Sequence, residues 1–213
     1  MERAGLPRGY GRGMAIAEPD VATVDVILDA AEDCFVTAGV RRTTMEDIAA
    51  AAGVSRITVY RRAGNRDQIV LAVLVRITAR YLARLRPRLL AQSSLSDALV
   101  LLVRSTVRAA RRDDLSLLFA SEERGATGAP IPGAMAPLSA LFGETVALVA
   151  DVLPGDLPPD VEPIDAGEWL LRVIVSLATT EPARPRSPTD SDAWVRRVVV
   201  PGLVDSGEPT RGT

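Results

Sequence analysis

Residues 44–66 read TMEDIAAAAGVSRITVYRRAGNR, and this spacing decides the fold. Thr44 begins a helix start of the capping-box kind, and Ser55 can cap a second short helix. Gly53 can adopt the positive φ of a tight turn, and Ala49 is small enough for two helix backbones to approach closely. Three apolar residues fall where they fill the wedge between the helices: Ile48, Val54 and Val59. The pattern predicts a helix-turn-helix, whose second helix is free to enter the major groove of DNA.

The second helix of this motif carries an unopposed positive charge. Residues 55–66 contain four arginines and no acidic residue. Arginine pairs bidentately with guanine edges or grips phosphate, and hydroxyls and helix N-termini also bind phosphate. The side chains that we predict to bind DNA are Thr44, Ser55, Arg56, Thr58, Tyr60, Arg61, Arg62 and Arg66. The alternative is an arginine-rich helix whose charges are only solvated.

The family resemblance is carried by residues 39–60, GVRRTTMEDIAAAAGVSRITVY, which resemble the head of TetR-type (tetracycline-repressor-like) regulators. The similarity is strong over about residues 24–75 and looser in the body, where the fragments WLLRVIVSL (169–177) and RRVVVPGL (196–203) are also family-like. The resemblance implies a double-stranded DNA operator and a homodimer built on the last two long helices. It also implies a small-molecule effector, held in a cavity beside the long fourth helix.

The sequence departs from the family pattern at the end of the second motif helix. Arg62 and Ala63 stand where the family usually has a His-Phe pair, and Arg66 stands where it has a lysine. Arg66 keeps the charge that the resemblance assigns to a phosphate contact. Ala63 removes an aromatic side chain that normally packs the head against the fourth helix.

Helical periodicity continues through the rest of the chain, with no convincing alternating strand pattern. We expect an all-α fold of about nine helices: a disordered N-terminal arm (1–20), a three-helix helix-turn-helix head (21–68) and a C-terminal helical bundle for ligand sensing and dimerisation (69–213). The fourth helix is expected to end at Pro87, because proline removes a helix hydrogen bond. A short helix is expected at residues 115–120.

The amino-acid composition excludes most kinds of catalytic site. The chain has no histidine, and all 25 basic residues are arginine. Histidine-based nucleophile pairs, imidazole metal ligands, lysine Schiff bases and phosphate-loop lysines are therefore impossible. We predict no catalytic residue, no metal and no cofactor. The remaining enzyme alternative is a carboxylate pair such as Glu122 and Glu123, for which the preferred explanation is a solvated helix end.

Charge is divided unevenly between the two halves of the chain. Residues 1–112 hold 18 Arg and 11 Asp or Glu, a net charge of +7, whereas residues 113–213 hold 7 Arg and 16 Asp or Glu, a net charge of −9. Such asymmetry is expected when one end meets a polyanion. Apolar runs are too short to span a bilayer, no signal-like segment is found and Cys34 is the only cysteine, so we expect a cytoplasmic protein.

Residues 69–213 give weaker indications of function than the head does. Four residues are predicted to line an effector pocket: Phe119, Phe142, Trp169 and Arg172. The alternative for the three aromatic residues is ordinary core packing. Arg104 and Arg172 can bind an acidic ligand or pair with carboxylates such as Glu168. The sequence thus predicts a ligand-responsive DNA-binding regulator, with repression as the commoner mode of the family; the main alternative is a helical ligand-binding protein that does not bind DNA.

Overall fold

The computed structural model describes residues 22–112, 133–181, 183–184 and 186–204. All regular structure in these ranges is helical, which confirms the all-α prediction. The helices in chain order are α1 (Ala22–Ala38), α2 (Met45–Ala51), α3 (Arg56–Ala63), α4 (Arg66–Leu90), α5 (Leu95–Arg112), α6 (Met135–Ala150), α7 (Pro163–Thr179) and α8 (Pro188–Val198), followed by a 3-10 turn (Val200–Gly202). The predicted arm and the predicted helix at 115–120 lie outside the described residues.

The helix starts in the head are set by side-chain caps, and those at Thr44 and Ser55 were predicted. The hydroxyl of Thr44 accepts a hydrogen bond from the backbone N–H of Asp47 at 3.2 Å, and the Asp47 carboxylate accepts from the backbone N–H of Thr44 at 2.8 Å. Ser55 caps α3 by accepting from the N–H of Thr58 at 3.1 Å, and Asn65 caps α4. Each cap satisfies a backbone donor that the first helical turn leaves free.

The turn between α2 and α3 is built as the sequence indicates. Gly53 has a φ of +66°, and its position faces open space, so the backbone conformation rather than crowding requires glycine there. Ile48 and Val59 are fully buried and Val54 is partly buried against them, which confirms the predicted wedge. Thr43 is also buried, and its hydroxyl lies 2.9 Å from the carbonyl oxygen of Gly39 at the end of α1.

Helix α4 joins the head to the body without a linker. It crosses the predicted boundary between residues 68 and 69 and ends at Leu90, so the prediction that it ends at Pro87 is wrong. Leu85 and Leu89 are buried on either side of the exposed proline. Their burial stabilises this last turn by more than the missing hydrogen bond of Pro87 costs it.

The body is held together by a close crossing of α6 and α7. A Cβ atom on Gly167 would lie 2.4 Å from the backbone nitrogen of Gly143 and 2.4 Å from the carbonyl oxygen of Ser139. A Cβ atom on Gly143 would lie 2.8 Å from the carbonyl oxygen of Pro163. The two glycines therefore let the helix backbones touch directly. Among the described residues, no helix is both long and apolar enough to cross a membrane.

Helix α8 is attached to α5 by two ion pairs, whose partners on α8 lie one helical turn apart. Arg104 and Asp192 are joined at 2.5 Å, and Arg196 and Asp97 at 2.5 Å. Asp97 also accepts hydrogen bonds from the hydroxyls of Ser93 and Ser94, just before α5. These three donors lower the pKa of Asp97 to about 2, with the two serines contributing most.

Candidate DNA-binding surface

Helix α3 lies on the outside of the head with one face buried and one face open. Val59 is fully buried and anchors the helix against α1 and α2. On the other side, the side chain of Tyr60 is 65% exposed and that of Ile57 is 77% exposed. Arg56 and Arg61 are exposed beside them. Cationic, aromatic and aliphatic groups thus project together from one short helix.

Three of the four hydroxyl-bearing residues predicted to bind DNA, Thr44, Ser55 and Thr58, form hydrogen bonds within the head. The hydroxyl of Thr44 bonds the Asp47 carboxylate at 2.7 Å, and those of Ser55 and Thr58 bond each other at 2.9 Å. The backbone and side chain of Thr44 lower the pKa of Asp47, so this carboxylate stays ionised at the N-terminus of α2. The first role of these side chains is to fix where α2 and α3 begin and how their N–H groups are directed.

Arg56 has a partner that the sequence did not reveal. Its guanidinium lies 2.7 Å from the carboxylate of Glu46 on α2, with both side chains more than half exposed. An ion pair this exposed is worth about 1 kcal/mol or less, so a phosphate or a base edge can compete for the guanidinium. Glu46 therefore holds Arg56 against α2 while the surface is unoccupied.

The remaining predicted arginines differ in their surroundings. Arg61 is exposed and forms no ion pair or side-chain hydrogen bond with any residue that the structure describes. Arg62 is partly buried, and its Nε has no hydrogen-bond partner within the described ranges. Arg66 donates to the carbonyl oxygens of Thr43, at 3.3 Å, and Val40. Arg66 thus closes the α1–α2 loop onto the start of α4, a role that the resemblance to a phosphate-contacting lysine did not indicate.

Two residues of this surface were missed in the sequence. Ile57 was not chosen because an isoleucine in a helix is normally assigned to the core, yet it is one of the most exposed apolar side chains described. Its position directly after Arg56, on the side of α3 opposite Val59, was the available signal. Glu46 was missed because its pairing with α3 depends on the crossing of two helices.

The predicted pocket residues that the structure describes do not come together. Phe142 is fully buried in the core of α6, and Phe119 lies outside the described residues. Trp169 is 45% exposed, and Arg172 pairs with Glu168 one turn away at 2.5 Å, so both lie on the outer face of α7 rather than in an interior cavity. The described part of the chain has a cleft of about 710 Å³ along α4 and α5 and another of about 530 Å³ beside α5, α7 and α8, and none of these residues lines either.

A short, capped helix that projects such side chains from one side of a three-helix head is the arrangement of a helix-turn-helix DNA-binding protein. Residues 27–73 match the family model of bacterial regulatory proteins of the tetR family. The chain is 30% identical over 188 residues to an "Uncharacterized HTH-type transcriptional regulator" of Mycobacterium tuberculosis (strain H37Rv), covering 88% of each chain. It belongs to the TetR family of helix-turn-helix transcriptional regulators.

Solved structures agree with this fold. The chain is similar to the R. erythropolis transcriptional repressor QsdR from the TetR family, with a TM-score of 0.64, 19% identity and coverage of 90% of this chain and 100% of that one. It is also similar to the TetR family repressor AlkX from Dietzia sp., with a TM-score of 0.56, 18% identity and coverage of 83% and 92%. At these identities the likeness concerns the fold.

Proposed function

We propose that this regulator is a homodimeric repressor that binds a double-stranded operator in the bacterial cytoplasm and is released from it by a small molecule. The observation that carries the DNA-binding part is the open face of α3. Arg61 has no partner among the described residues, Arg56 has only an exposed one, and Tyr60 and Ile57 stand between them. A groove in DNA supplies phosphate, base edges and thymine methyl groups for these side chains.

The dimer part rests on the outer surface of α7 and α8. Ile164, Trp169 and Val198 are large apolar side chains, each about half exposed. The indole N–H of Trp169 points to the carbonyl oxygen of Val199 at 3.5 Å, so the C-terminal end of α8 lies beside α7. A second copy of the chain packing on this face would bury it, and we assign Trp169 and Arg172 to this interface. Two heads would then read half-sites about 34–36 Å apart.

The repressor and effector parts rest on likeness to relatives. The structures named above are of TetR family repressors, and α4 connects the head to the body in one continuous helix. A ligand that binds one arrangement of α4 more tightly than another would change the separation of the two heads. Removing the head from the operator in this way relieves repression.

The experiment is selection of genomic DNA fragments by the purified protein, followed by fluorescence anisotropy on the selected sequence. We expect Arg61→Ala to weaken operator binding about tenfold or more, since one arginine contact contributes about 1–3 kcal/mol. Arg86→Ala removes the same charge from an exposed site in the second half of α4, and we expect less than about a twofold change there. Equal losses in the two variants, or no selected sequence at all, would refute the proposal.

Oligomeric state is measured separately by analytical ultracentrifugation. We expect the wild-type chain to sediment as a dimer and Val198→Asp to shift it towards the monomer, because a buried unpaired carboxylate is costly in an apolar interface. Val152→Asp alters another exposed valine, which belongs to neither α7 nor α8, and serves as the control. Dissociation in the control but not in Val198→Asp would place the interface elsewhere.

A further inference from the structure

The cleft along α4 and α5 has an unusual charge. It runs between the second half of α4 and the facing half of α5 and has a volume of about 710 Å³, within the size range of small-molecule sites. Four arginines line it, Arg84 and Arg88 from α4 and Arg104 and Arg108 from α5. Leu85, which is buried, contributes an apolar wall.

Among the described residues, one carboxylate neutralises these four guanidinium groups. Arg104 shares its charge with Asp192 at 2.5 Å, whereas Arg84, Arg88 and Arg108 have no ion pair or side-chain hydrogen bond with any described residue. No carboxylate lines this cleft within the described ranges. Counted over the described residues, the four cations and the single carboxylate of Asp192 give the cleft a local charge of about +3 at neutral pH.

This arrangement costs stability in the absence of an anion. Arg84 and Arg88 are four residues apart on one helix, and Arg104 and Arg108 are four apart on the next. Like charges at this spacing are destabilising, and here two such pairs face each other across one groove. A ligand with several negative charges would remove the repulsion at both pairs at once. Arginine forks match phosphate and carboxylate oxygens in particular.

The cleft is separate from the DNA-binding surface. Arg84 comes 18 residues after Arg66, the first residue of α4, which corresponds to about 27 Å along the helix. DNA held by the head at the other end of α4 therefore does not reach it. The cleft instead lies on the helix that joins head and body.

We propose that the α4–α5 cleft binds a small polyanion, a molecule with two or more negative charges carried by phosphate or carboxylate groups, and that this molecule is the effector. The binding itself stands on the cleft alone, whereas the effector role rests on the proposed function. The ligand bridges α4 and α5 through the four guanidinium groups. In doing so it favours the arrangement in which the two helices are closest at this end.

The first test is isothermal titration of the full-length protein, without DNA and at constant ionic strength, with inorganic triphosphate and with citrate. Acetate serves as the monovalent control. We expect saturable binding of at least one polyanion and none of acetate. Arg84→Gln combined with Arg108→Gln should weaken this binding about tenfold or more. Arg86→Gln, on the same helix but outside the cleft, and Arg61→Gln, on α3, should each change it less than about twofold.

Three results would overturn the binding site. The first is the absence of saturable binding of either polyanion up to about 10 mM. The second is an equal loss of polyanion affinity in Arg86→Gln, which would indicate a diffuse positive field at the surface. The third is a loss of affinity confined to Arg61→Gln, which would place the anion on the DNA-binding surface. If the polyanion binds in the cleft but the affinity for the selected operator is unchanged at saturation, the effector role is overturned. If the protein selects no DNA, the proposed function fails while the titration result stands.

Discussion

Replacement of Gly167 by alanine tests the contact that positions α7 against α6. The new Cβ would lie 2.4 Å from two backbone atoms of α6, the nitrogen of Gly143 and the carbonyl oxygen of Ser139, and 2.9 Å from the Cα of Gly143. Ordinary contact with carbon begins at about 3.5 Å, so the two helices must separate by about 1 Å. Backbone atoms inside a helix cannot rotate away as a side chain can. The strain must therefore be relieved by moving a whole helix.

The expected loss follows from two opposing terms. A gap of about 1 Å forfeits a quarter to a half of each dispersion contact across the crossing, and overpacking of this kind typically costs about 1–3 kcal/mol. Because the obstructing atoms are backbone, we expect the upper end, about 3 kcal/mol. Alanine gains about 1 kcal/mol over glycine in a helix interior. The net destabilisation is about 2 kcal/mol, or roughly 4–8 °C in Tm for a chain of this length.

The assay is thermal unfolding followed by circular dichroism, at one fixed protein concentration because dimerisation makes Tm concentration-dependent. Gly202→Ala is the matched control, since a Cβ atom there meets nothing within 4 Å. We expect the control to stay within about 0.5 kcal/mol of the wild type. A Gly167→Ala protein as stable as the control would refute the argument, because it would mean that the helices are not held at the described separation.

Three further predictions concern single side chains. Glu46→Gln should release Arg56 and remove a negative charge from the DNA-binding face. In anisotropy titrations on random DNA, the slope of log K against log salt should therefore steepen by about 0.9. Weaker binding would instead mean that Glu46 holds Arg56 in the position from which it contacts DNA. Ile57 should contact a thymine methyl group of the selected operator. Replacing that thymine by deoxyuridine should lower the affinity of the wild type about fourfold and leave the affinity of Ile57→Ala unchanged. A wild type that is insensitive to this replacement at every thymine would exclude the contact. Above pH 4, Asp97→Asn should be less stable than the wild type by about 1 kcal/mol. Because the pKa of Asp97 in the folded protein is lowered to about 2, this difference should vanish in acid unfolding as the pH falls from about 4 to about 2. A difference that persists below pH 2 would contradict an ionic origin.

Features set by local chemistry were predictable from the sequence. The caps at Thr44, Ser55 and Asn65 depend on a side chain reaching a backbone N–H three residues ahead, and all three are present. The turn at Gly53 depends on one positive φ, which is also present. The helix starts and the turn of the head were therefore predictable, because this spacing leaves one way to close two short helices on each other.

Features that depend on which helix faces which were not predictable. Trp169 lies in a run of apolar residues, all of which the sequence predicts to be buried. It is exposed because α6 packs against only one side of α7. In the sequence, Gly143 and Gly167 are only residues of low helix propensity, although the crossing of α6 and α7 requires both. The four arginines of the cleft are spread over residues 84–108 and look like solvated charge until α4 and α5 are folded side by side. Periodicity assigns a face to each helix but does not pair the faces.

The attachment of the first half of α4 to the head limits how a signal can pass between body and head. At its start Arg66 binds the carbonyl oxygens of the α1–α2 loop, and further along Arg76 pairs with Asp29 of α1 at 2.7 Å. The first half of α4 therefore moves with the head as one unit. A ligand held near Arg84 acts on that unit about 27 Å from its start, so a rotation of about 5° displaces the head by roughly 2 Å. Such a shift in each subunit changes the distance between two recognition helices that must match half-sites about 34 Å apart, without any change inside the head itself.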